Sequence, residues 1–414
     1  MLDWPETLEL TLDGIAQGGE GVGRWQERVV FARGGLPGER VLVRLRERRS
    51  AYAHADVVEV LDASPDRVPP RLPGADHMPW QHIAYPAQLR FKRQILADQL
   101  AKIGGLPEVE VAETLPASRP WGYRSGARFH GEGGRVGYYA AETRDLQEIA
   151  SDPLLMPALN EALAALREVA REAGAAPAEA LLRASEAYGY VVAALRGPDD
   201  LSDLARRWRM RCPALAGVAL PGGQGALGAE RLVEELGGVA FHLRPTTFFQ
   251  VNSDAAEALL RLVRAGLDLR GGERLLDLFC GAGAFTLPLA AVAAEVVGVE
   301  EVADAVVDAR LSAAENGIGN ARFEVGRVER ALDQLDGTFD AVILDPPRRG
   351  CHPRALEGLL RLAPARIVYV ACHPATLARD LKVLAGGYRV AGVQSVDLFP
   401  QTAHIESVAL LTRA

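Results

Sequence analysis

The stretch Leu275-Leu-Asp-Leu-Phe-Cys-Gly-Ala-Gly-Ala-Phe-Thr286 decides the fold of this 414-residue chain. Its apolar run ends in a glycine-rich turn, which predicts a buried strand, a loop and the start of a helix. Gly281 and Gly283 let the backbone approach a ligand that a Cβ atom would exclude. Glu300 ends the next apolar run about twenty residues later, where an acid can hold a ribose hydroxyl pair. The pattern predicts a nucleotide-type ligand, but it does not separate S-adenosylmethionine from NAD because the loop lacks a complete G-x-G-x-x-G.

Apolar runs and helical stretches alternate around this segment, from about Ala255 onward. The runs are Arg274–Phe279, Val296–Val299, Ala321–Val325, Ala341–Leu344 and Ile367–Ala371. Each is short, and its flanking residues are polar or glycine-rich, as in strands that are buried on both faces. The alternation predicts an α/β domain with a doubly wound parallel sheet and helices on both faces.

Reactive or charged side chains follow the last two of these runs. The fourth run leads into Asp345-Pro-Pro-Arg-Arg-Gly350, and the fifth into Cys372-His-Pro-Ala-Thr-Leu377. Because parallel strands end at one edge of a sheet, we expect Asp345 and Cys372 at the edge where ligands bind. A helix that begins there would favour the thiolate of Cys372, although many cysteines at strand ends are simply small packing residues. A further carboxylate, Glu406, directly precedes the apolar run Ser407–Leu411.

The residues before this region predict a small β-domain followed by a mixed domain. Short apolar strands separated by glycine turns indicate a barrel of the oligonucleotide-binding type, and a proline-rich linker follows it. The predicted strands are Leu8–Leu12, Val29–Ala32, Val41–Leu45 and Val57–Leu61, with a turn over Gln17–Gly23 and a linker over Ser64–Pro79. The mixed domain is predicted to be helical over Tyr85–Leu100, 154–184 and 199–209, and β over Trp121–Tyr139.

The bulk composition is that of a globular, reduced protein. The net charge of −8 disfavours a nucleic-acid partner, but eight arginines lie between Arg24 and Arg49 against three glutamates, so local positive charge is possible there. The most apolar stretch, Leu275–Val299, is interrupted by charged residues, glycines and a proline and is not predicted to span a membrane. Met1–Pro5 shows no secretory signal, and the four cysteines form no C-x-x-C pair, so we expect a cytoplasmic protein.

Taken together, these motifs resemble the RNA 5-methyluridine methyltransferase family, the TrmA and RumA type. The matching segments occur in the family's order along the whole chain. They are a TRAM-like segment over Gly14–Gly23, Val30–Val43 and Ser64–Pro69, a central part with Trp80–His82, Tyr85–Leu89 and Tyr123-Arg124, and then Phe248–Asn252, the glycine loop, Asp345–Arg348, Cys372–Asp380 and Phe399–Glu406. The resemblance implies three domains, namely a TRAM barrel over 1–65, a central α+β domain over 66–250 and a Rossmann-like methyltransferase domain over 251–414.

The resemblance also implies a reaction and the residues that perform it. The resemblance implies S-adenosylmethionine rather than NAD as the cofactor, and RNA as the partner. Cys372 would attack carbon 6 of a uracil, and Glu406 would remove the proton from carbon 5 after methylation. The residues that would line the cofactor are Gln250, Phe279, Glu300 and Asp345. A monomer is favoured, and TRAM-bearing relatives favour ribosomal over transfer RNA as the substrate.

The chain departs from the family pattern at several positions. Many relatives bind an iron–sulfur cluster through four cysteines, whose places here are taken by Pro69, Ala75, Met78 and Asp152, so no cluster is expected. The asparagine that usually follows the catalytic cysteine is His373, which could polarise the thiol or merely fill space. Ala284 replaces a polar residue of the glycine loop, and Cys280 and Cys351 are expected to be packing residues.

Three other functions compete with this interpretation. A cytosine-5 RNA methyltransferase would carry a second cysteine where Pro347 lies, and an amino-group methyltransferase would carry an aromatic residue where Arg348 lies. An RNA-binding assembly factor with an inactive methyltransferase domain would not need Cys372, Glu406 and Asp345 together. Each competing function therefore explains less of the sequence than uridine methylation does.

Overall fold

Two compact units make up the chain in the computed structural model, which describes residues 4–140, 143–197, 200–335 and 337–414. Residues 1–3, part of the segment that shows no secretory signal, lie outside the described residues. The first unit, here called the barrel unit, comprises Met1–Pro116, Cys372–Lys382 and Gly392–Ser407. The second, here called the sheet unit, comprises Ala117–Ala371, Val383–Ala391 and Val408–Ala414. The three-domain division at residues 65 and 250 stays a prediction.

A closed five-stranded barrel opens the barrel unit, in the order β1-β2-β3-β5-β4. Its strands are β1 (Thr7–Ile15), β2 (Gly21–Trp25), β3 (Arg28–Arg33), β4 (Arg40–Arg48) and β5 (Tyr52–Asp62). Alternate residues of β1 point inward, because Leu8, Leu10 and Leu12 are buried while their neighbours are exposed. Closure leaves the barrel without free strand edges, and the predicted small barrel is confirmed.

The predicted turn over Gln17–Gly23 is wrong in its second half, where β2 begins. The glycines that suggested a turn are needed inside the barrel. A Cβ atom on Gly23 would collide with the side chain of Leu10, and one on Gly21 would collide with Leu12 and the backbone of Gly35. Glycine here therefore reflects close packing inside a strand rather than a loop.

Helix α1 (Tyr85–Gln99) follows the barrel in the same unit and continues into a π-helical turn, Leu100–Gly104. Its buried face carries apolar residues such as Phe91 and Ile95, as the predicted helix over Tyr85–Leu100 requires. The same face also buries two polar residues, Gln88 and Lys92, both of which are fully inaccessible. Buried polar groups need partners, and these two side chains contact Asp397 and Gln401 of the same unit.

A seven-stranded sheet with two helices forms the first part of the sheet unit, in the order β12-β11-β10-β9-β6-β7-β8. The strands are β6 (Gly126–Glu132), β7 (Arg135–Tyr139), β8 (Leu146–Glu148), β9 (Glu179–Ala184), β10 (Val191–Arg196), β11 (Leu215–Ala219) and β12 (Ala226–Gly228). The helices are α2 (Pro157–Ala173) and α3 (Ser202–Arg211). The predicted helix over 154–184 is wrong at its end, because β9 pairs with β6 on one side and β10 on the other. Burial between two strands outweighs the helical propensity of Glu-Ala-Leu-Leu-Arg-Ala.

A hairpin and a second seven-stranded sheet complete the chain. The sheet has the order β17-β16-β15-β18-β19-β21-β20, and β15 pairs in parallel with both β16 and β18. The strands are β13 (Leu232–Leu236) and β14 (Val239–Leu243) of the hairpin, then β15 (Arg274–Leu278), β16 (Glu295–Glu300), β17 (Ala321–Val325), β18 (Ala341–Leu344), β19 (Arg366–Ala371), β20 (Tyr388–Val396) and β21 (Glu406–Arg413). The helices are α4 (Ser253–Leu267), α5 (Thr286–Leu289), α6 (Ala303–Glu315), α7 (Val328–Ala331), α8 (Pro353–Leu362) and α9 (Pro374–Leu384).

The central strands of this sheet confirm the predicted parallel α/β fold. β17 and β18 coincide with two of the apolar runs, and β15, β16 and β19 differ from theirs by one residue at one or both ends. β20 was not predicted, because its small and polar residues form neither a continuous apolar run nor a regular alternation. No helix among the described residues has the length and apolar character needed to cross a membrane.

Candidate active site

The glycine loop after β15 adopts a conformation that exposes its backbone toward a ligand. Phe279 has a positive φ of 67°, which is rare for a bulky residue, and Gly281 and Gly283 also have positive φ values. The backbone N–H groups of Phe279 and Cys280 both donate to the carbonyl of Val299, at 2.9 and 3.1 Å. These bonds fix the start of the loop to the end of β16, as a ligand-binding loop requires.

Glu300, the last residue of β16, is oriented by two backbone donors. Its Oε2 accepts from the N–H of Gly281 at 3.0 Å, and its Oε1 accepts from the N–H of Val302 at 2.8 Å. The carboxylate is therefore held against the glycine loop by the loop itself. This is the geometry predicted for an acid that holds a nucleoside ribose, although the role of Glu300 stays a prediction.

Two further carboxyl groups lie near Glu300, at the ends of neighbouring strands. Asp277 in β15 is fully buried, and burial raises the pKa of its carboxyl to about 7 despite a 2.6 Å hydrogen bond from Thr286 Oγ1. Burial also raises the pKa of Asp345, which follows β18, and the charges of Asp277 and Glu300 raise it further. A site that places Asp277 and Asp345 beside Glu300 is suited to a cationic ligand, because a positive charge offsets the burial and repulsion that raise the pKa of the two aspartates. A ligand with a sulfonium and an ammonium group fits this cluster better than the phosphates of NAD do.

A cavity of about 380 Å³ opens beside Phe279 in the sheet unit. It lies between the segment after β17, with Gly326 and Arg327, and the segment after β18, with Arg349. This volume is within the range of ~300–1,000 Å³ that small-molecule sites occupy. The carboxyl ends of the parallel strands thus provide space for a ligand next to the glycine loop.

Gln250 belongs to a segment that is anchored on both sides. Arg183, itself buried, donates to the carbonyl of Phe249 at 3.2 Å, and Asn252 caps α4 by accepting from the N–H of Ala255. Phe249 is buried, whereas the side chain of Phe248 is 73% exposed. The structure therefore presents Gln250 on a rigid segment, and its predicted contact with the cofactor stays a prediction.

Cys372 follows β19 directly and precedes the first residue of α9 by two positions. It is half-buried, whereas the other three cysteines of the chain are buried. Burial raises the pKa of the Cys280 thiol well above its usual range, and Cys351 contacts the hydroxyl of Tyr369. The packing roles expected for Cys280 and Cys351 agree with this burial, and Cys372 is the one cysteine of the four that is not buried.

Glu406 begins β21 and is buried, with 4% of its surface exposed. The turn before it is attached to α1 within the barrel unit. Lys92 Nζ donates to Asp397 Oδ1 at 2.6 Å and to the carbonyl of Phe399 at 3.0 Å. Gln88 donates to Gln401 Oε1 and accepts from the Gln401 N–H, both at 2.9 Å. The turn here called the 397–401 turn is thus fixed by two buried polar residues of one helix.

Similarity to known proteins shows to which family this chain belongs. The family model for tRNA (uracil-5-)-methyltransferase matches residues 235–414, and that for the TRAM domain matches residues 6–58. An RNA methyltransferase of Thermosynechococcus vestitus is 40% identical over 98% of each chain. The 23S rRNA (uracil(1939)-C(5))-methyltransferase RlmD of Edwardsiella ictaluri is 36% identical, with 98% of this chain and 96% of that protein covered. The chain belongs to the RNA uracil-C5 methyltransferase family.

The fold of this methyltransferase agrees with a solved relative. The tRNA (uracil-54, C5)-methyltransferase of Pyrococcus abyssi, solved with S-adenosyl-L-homocysteine, superposes with a TM-score of 0.77 at 27% identity. The comparison covers 98% of this chain and 100% of that protein. The predicted family, enzyme class, RNA substrate and use of S-adenosylmethionine are confirmed.

The positions at which many relatives carry cluster cysteines have other structural roles here. Asp152 is fully buried, accepts from the hydroxyl of Tyr138 at 2.9 Å and caps its own turn through the N–H of Leu154 at 2.8 Å. Met78 is buried in the barrel unit. Within the described ranges, no group of three or more histidine, cysteine or acidic side chains has the geometry of a metal site. The absence of an iron–sulfur cluster stays a prediction.

Two residues of the methyltransferase were not singled out from the sequence. Asp277 lies within an apolar strand, and this charged residue between leucines was itself a signal of function. Lys92 is one of three lysines in a chain whose lysines and arginines number 46. Its ammonium group is fully buried and paired with Asp397, which a single sequence does not reveal.

The acid cluster predicts that S-adenosylmethionine binds more tightly as the pH rises. Below about 7 Asp277 is protonated and neutral, so it attracts a cation less than the ionised form does. We expect the affinity to rise about tenfold from pH 6 to pH 8, with protons released on binding. Titration calorimetry at pH 6.5, in two buffers of different ionisation enthalpy, measures that release. Asp277→Asn should bind more weakly at pH 8 and flatten the profile, and a flat profile in the unmodified enzyme would contradict the prediction.

Proposed function

We propose that this methyltransferase forms 5-methyluridine in large-subunit ribosomal RNA through a covalent adduct between Cys372 and carbon 6 of the uracil. The observation that carries the proposal is the exposure of Cys372, at the residue that follows β19, while every other thiol of the chain is buried. Carbon 5 of uracil is a poor nucleophile until a group adds to carbon 6, so the reaction needs a covalent catalyst. We keep the cytoplasm as the expected location and a monomer as the expected state.

The first chemical step belongs to Cys372. Its thiolate adds to carbon 6, the bond between carbons 5 and 6 loses its π electrons, and the negative charge moves to the oxygen on carbon 4. Two features favour the thiolate, namely the half-exposed position and the start of α9 two residues later. The base must leave its stack to reach this thiol, so the target is flipped or single-stranded.

The second step places the methyl group and the third releases the product. S-adenosylmethionine, when bound, supplies an electrophilic methyl group, and Gln250, Phe279, Glu300 and Asp345 would hold it. Carbon 5 of the enolate would take this methyl group with S-adenosyl-L-homocysteine as the leaving group, and the carbonyl on carbon 4 would re-form. Carbon 5 then carries both the new methyl group and its original proton. Glu406 takes that proton, the electron pair restores the double bond between carbons 5 and 6, and the Cys372 thiolate leaves. Burial suits Glu406 to this role because it excludes competing water.

The choice of ribosomal RNA rests on the relatives. RlmD, which acts on 23S rRNA, shares 36% of its residues with this chain, and the Pyrococcus tRNA enzyme shares 27%. Transfer RNA is the alternative substrate for the same chemistry. The two are separated by the assay rather than by the fold, because both relatives cover nearly the whole chain.

The test incubates the purified enzyme with methyl-labelled S-adenosylmethionine and with unmodified ribosomal or transfer RNA, followed by nucleoside analysis. We expect label in 5-methyluridine of ribosomal RNA and its loss in Cys372→Ala. RNA that contains 5-fluorouridine should leave a stable adduct, because fluorine replaces the proton that the base must remove. Peptide mapping should locate the adduct on Cys372 and not on Cys351, which lies in an identical Cys-His-Pro tripeptide.

Each other outcome points to a different function. Label in transfer RNA alone keeps the chemistry and changes the substrate. Label in 5-methylcytidine would move the enzyme to cytosine, and label that survives Cys372→Ala would overturn the covalent mechanism. An absence of label from both RNAs, with S-adenosylmethionine bound, would favour an inactive assembly factor.

A further inference from the structure

The tripeptide Cys-His-Pro occurs twice in the chain, each time before a helix. Cys351-His352-Pro353 precedes α8, and Cys372-His373-Pro374 precedes α9. His352 caps α8, because its Nδ1 accepts from the backbone N–H of Arg354 at 3.2 Å. In the second copy, Nδ1 of His373 lies 3.4 Å from the backbone nitrogen of Thr376, the third residue of α9. This is the contact by which a cap residue satisfies a free donor of the first helical turn.

The cap explains how histidine can stand where relatives usually have asparagine. Asparagine is among the best cap residues because its side-chain oxygen accepts from the same turn. The imidazole of His373 supplies an acceptor of the same kind through Nδ1. Since a backbone N–H can only donate, Nδ1 is unprotonated, and the neutral ring carries its proton on Nε2. Histidine therefore keeps the cap and gains a second polar atom on the far side of the ring.

That second atom contacts the barrel. Nε2 of His373 lies 2.6 Å from Nε2 of the Gln17 side-chain amide, which is in the turn between β1 and β2. With the proton on Nε2, the histidine donates and the Gln17 amide presents its oxygen, in the orientation that exchanges Oε1 and Nε2. An asparagine that makes the cap has no further atom that could reach Gln17. The link between α9 and the barrel is thus a property of the histidine.

The turn that carries Gln17 is itself fixed. The N–H of Ala16 donates to the carbonyl of Glu20 at 2.8 Å, which closes the turn. Trp80, fully buried, donates from Nε1 to the carbonyl of Gly19 at 3.3 Å. A Cβ atom on Gly19 would collide with that indole, so the close approach requires glycine. Gln17 therefore presents its amide from a rigid support rather than from a mobile loop.

We propose that His373 is a positioning residue that ties the first turn of α9, and with it Cys372, to the Ala16–Glu20 turn of the barrel. The role in catalysis rests on the proposed function of Cys372. In this arrangement Nδ1 of the imidazole contacts α9 and Nε2 contacts Gln17, so the positioning role accounts for both ring nitrogens. A link of this kind keeps the nucleophile in one place while the barrel holds RNA, so its loss should lower kcat and leave the KM for RNA unchanged.

The test uses three single variants and one double variant. His373→Asn keeps the cap and removes the link, Gln17→Leu removes the link from the other side, and His373→Ala removes both. We expect His373→Asn and Gln17→Leu each to lower kcat about fivefold, the value of one hydrogen bond, with KM for RNA unchanged. The double variant His373→Asn/Gln17→Leu should equal either single variant, because both remove the same bond. His373→Ala should be worse than all of these.

A second readout does not depend on methyl transfer. The rate at which iodoacetamide alkylates Cys372, followed by peptide mass spectrometry, should rise by about fivefold in His373→Asn and Gln17→Leu alike, because a released turn exposes the thiol. Additive effects in the double variant, or unmodified behaviour of Gln17→Leu, would overturn the link. If alkylation is coupled as expected but no RNA is methylated by the unmodified protein, the link stands and the proposed function fails.

Discussion

Replacing Glu406 by glutamine is expected to stop the reaction at a methylated RNA that is still attached to Cys372. Glutamine has nearly the same shape as glutamate but cannot accept the proton from carbon 5, so the last step is blocked while the first two remain possible. Loss of a positioned base typically costs about 10²–10⁴ in rate. With methyl-labelled S-adenosylmethionine, a denaturing gel should show label migrating with the protein, and free 5-methyluridine should fall by that factor.

The control for this prediction is Cys372→Ala/Glu406→Gln, in which no label should migrate with the protein. Binding of S-adenosylmethionine should be unchanged in Glu406→Gln, because Glu406 is not among the residues that would line the cofactor. Product release at the rate of the unmodified enzyme would assign the base to a different residue. Label that reaches neither protein nor RNA would show that Glu406 is needed before methyl transfer.

Replacing Lys92 by methionine is expected to destabilise the barrel unit strongly. The ammonium group and Asp397 are both fully buried, and burial lowers the pKa of Lys92 although Asp397 opposes that shift. Methionine keeps the volume but leaves an unpaired buried carboxylate and removes the donor to Phe399. The expected loss in the free energy of unfolding is about 3–5 kcal/mol. Hydrogen exchange of the α1 amides measures it locally, without assuming that the whole chain unfolds in one step.

The chain contains a matched control for burial. Lys102 and Asp98 form an ion pair at 2.7 Å, close to the 2.6 Å of the Lys92 pair, but their side chains are 70% and 42% exposed. Lys102→Met should therefore change stability by less than about 0.5 kcal/mol. Lys92→Met/Asp397→Asn should recover part of the loss, because the carboxylate charge is also gone. Equal effects of the two lysine substitutions would contradict the importance of burial.

The parallel sheet was the part of the fold that the sequence predicted best. Strand β18 is buried along its whole length and forms a short apolar run whose ends are abrupt, so its bounds were predicted to the residue. The bounds of β17, which is a largely exposed edge strand, were also predicted to the residue. The strands that sequence missed have the opposite character. β9 carries residues that favour helices, and β2 begins with glycines, so in both cases the partner strand decides the conformation.

The candidate site residues that lie in contiguous sequence motifs could be predicted from the sequence. The glycine loop, Glu300 and Cys372 could be located because each follows a recognisable strand. Contacts between residues about 300 apart, such as Lys92 with Asp397, leave no periodic signal in a single sequence. The contact of His373 with Gln17 is of the same kind. The sequence therefore predicted the candidate reactive residues, whereas the contacts that support them became visible only in the folded structure.

The composition of the barrel unit has a consequence for how the protein is made. The unit needs Cys372–Lys382 and Gly392–Ser407 in addition to its N-terminal part, which ends at Pro116. A ribosome that adds about 5–20 residues per second needs about 12–50 seconds to synthesise the roughly 250 residues between them. During that time the nascent chain has a barrel but lacks Cys372 and Glu406, the proposed nucleophile and base. On the proposed mechanism, the enzyme therefore becomes competent only after the segment through Ser407 has been synthesised.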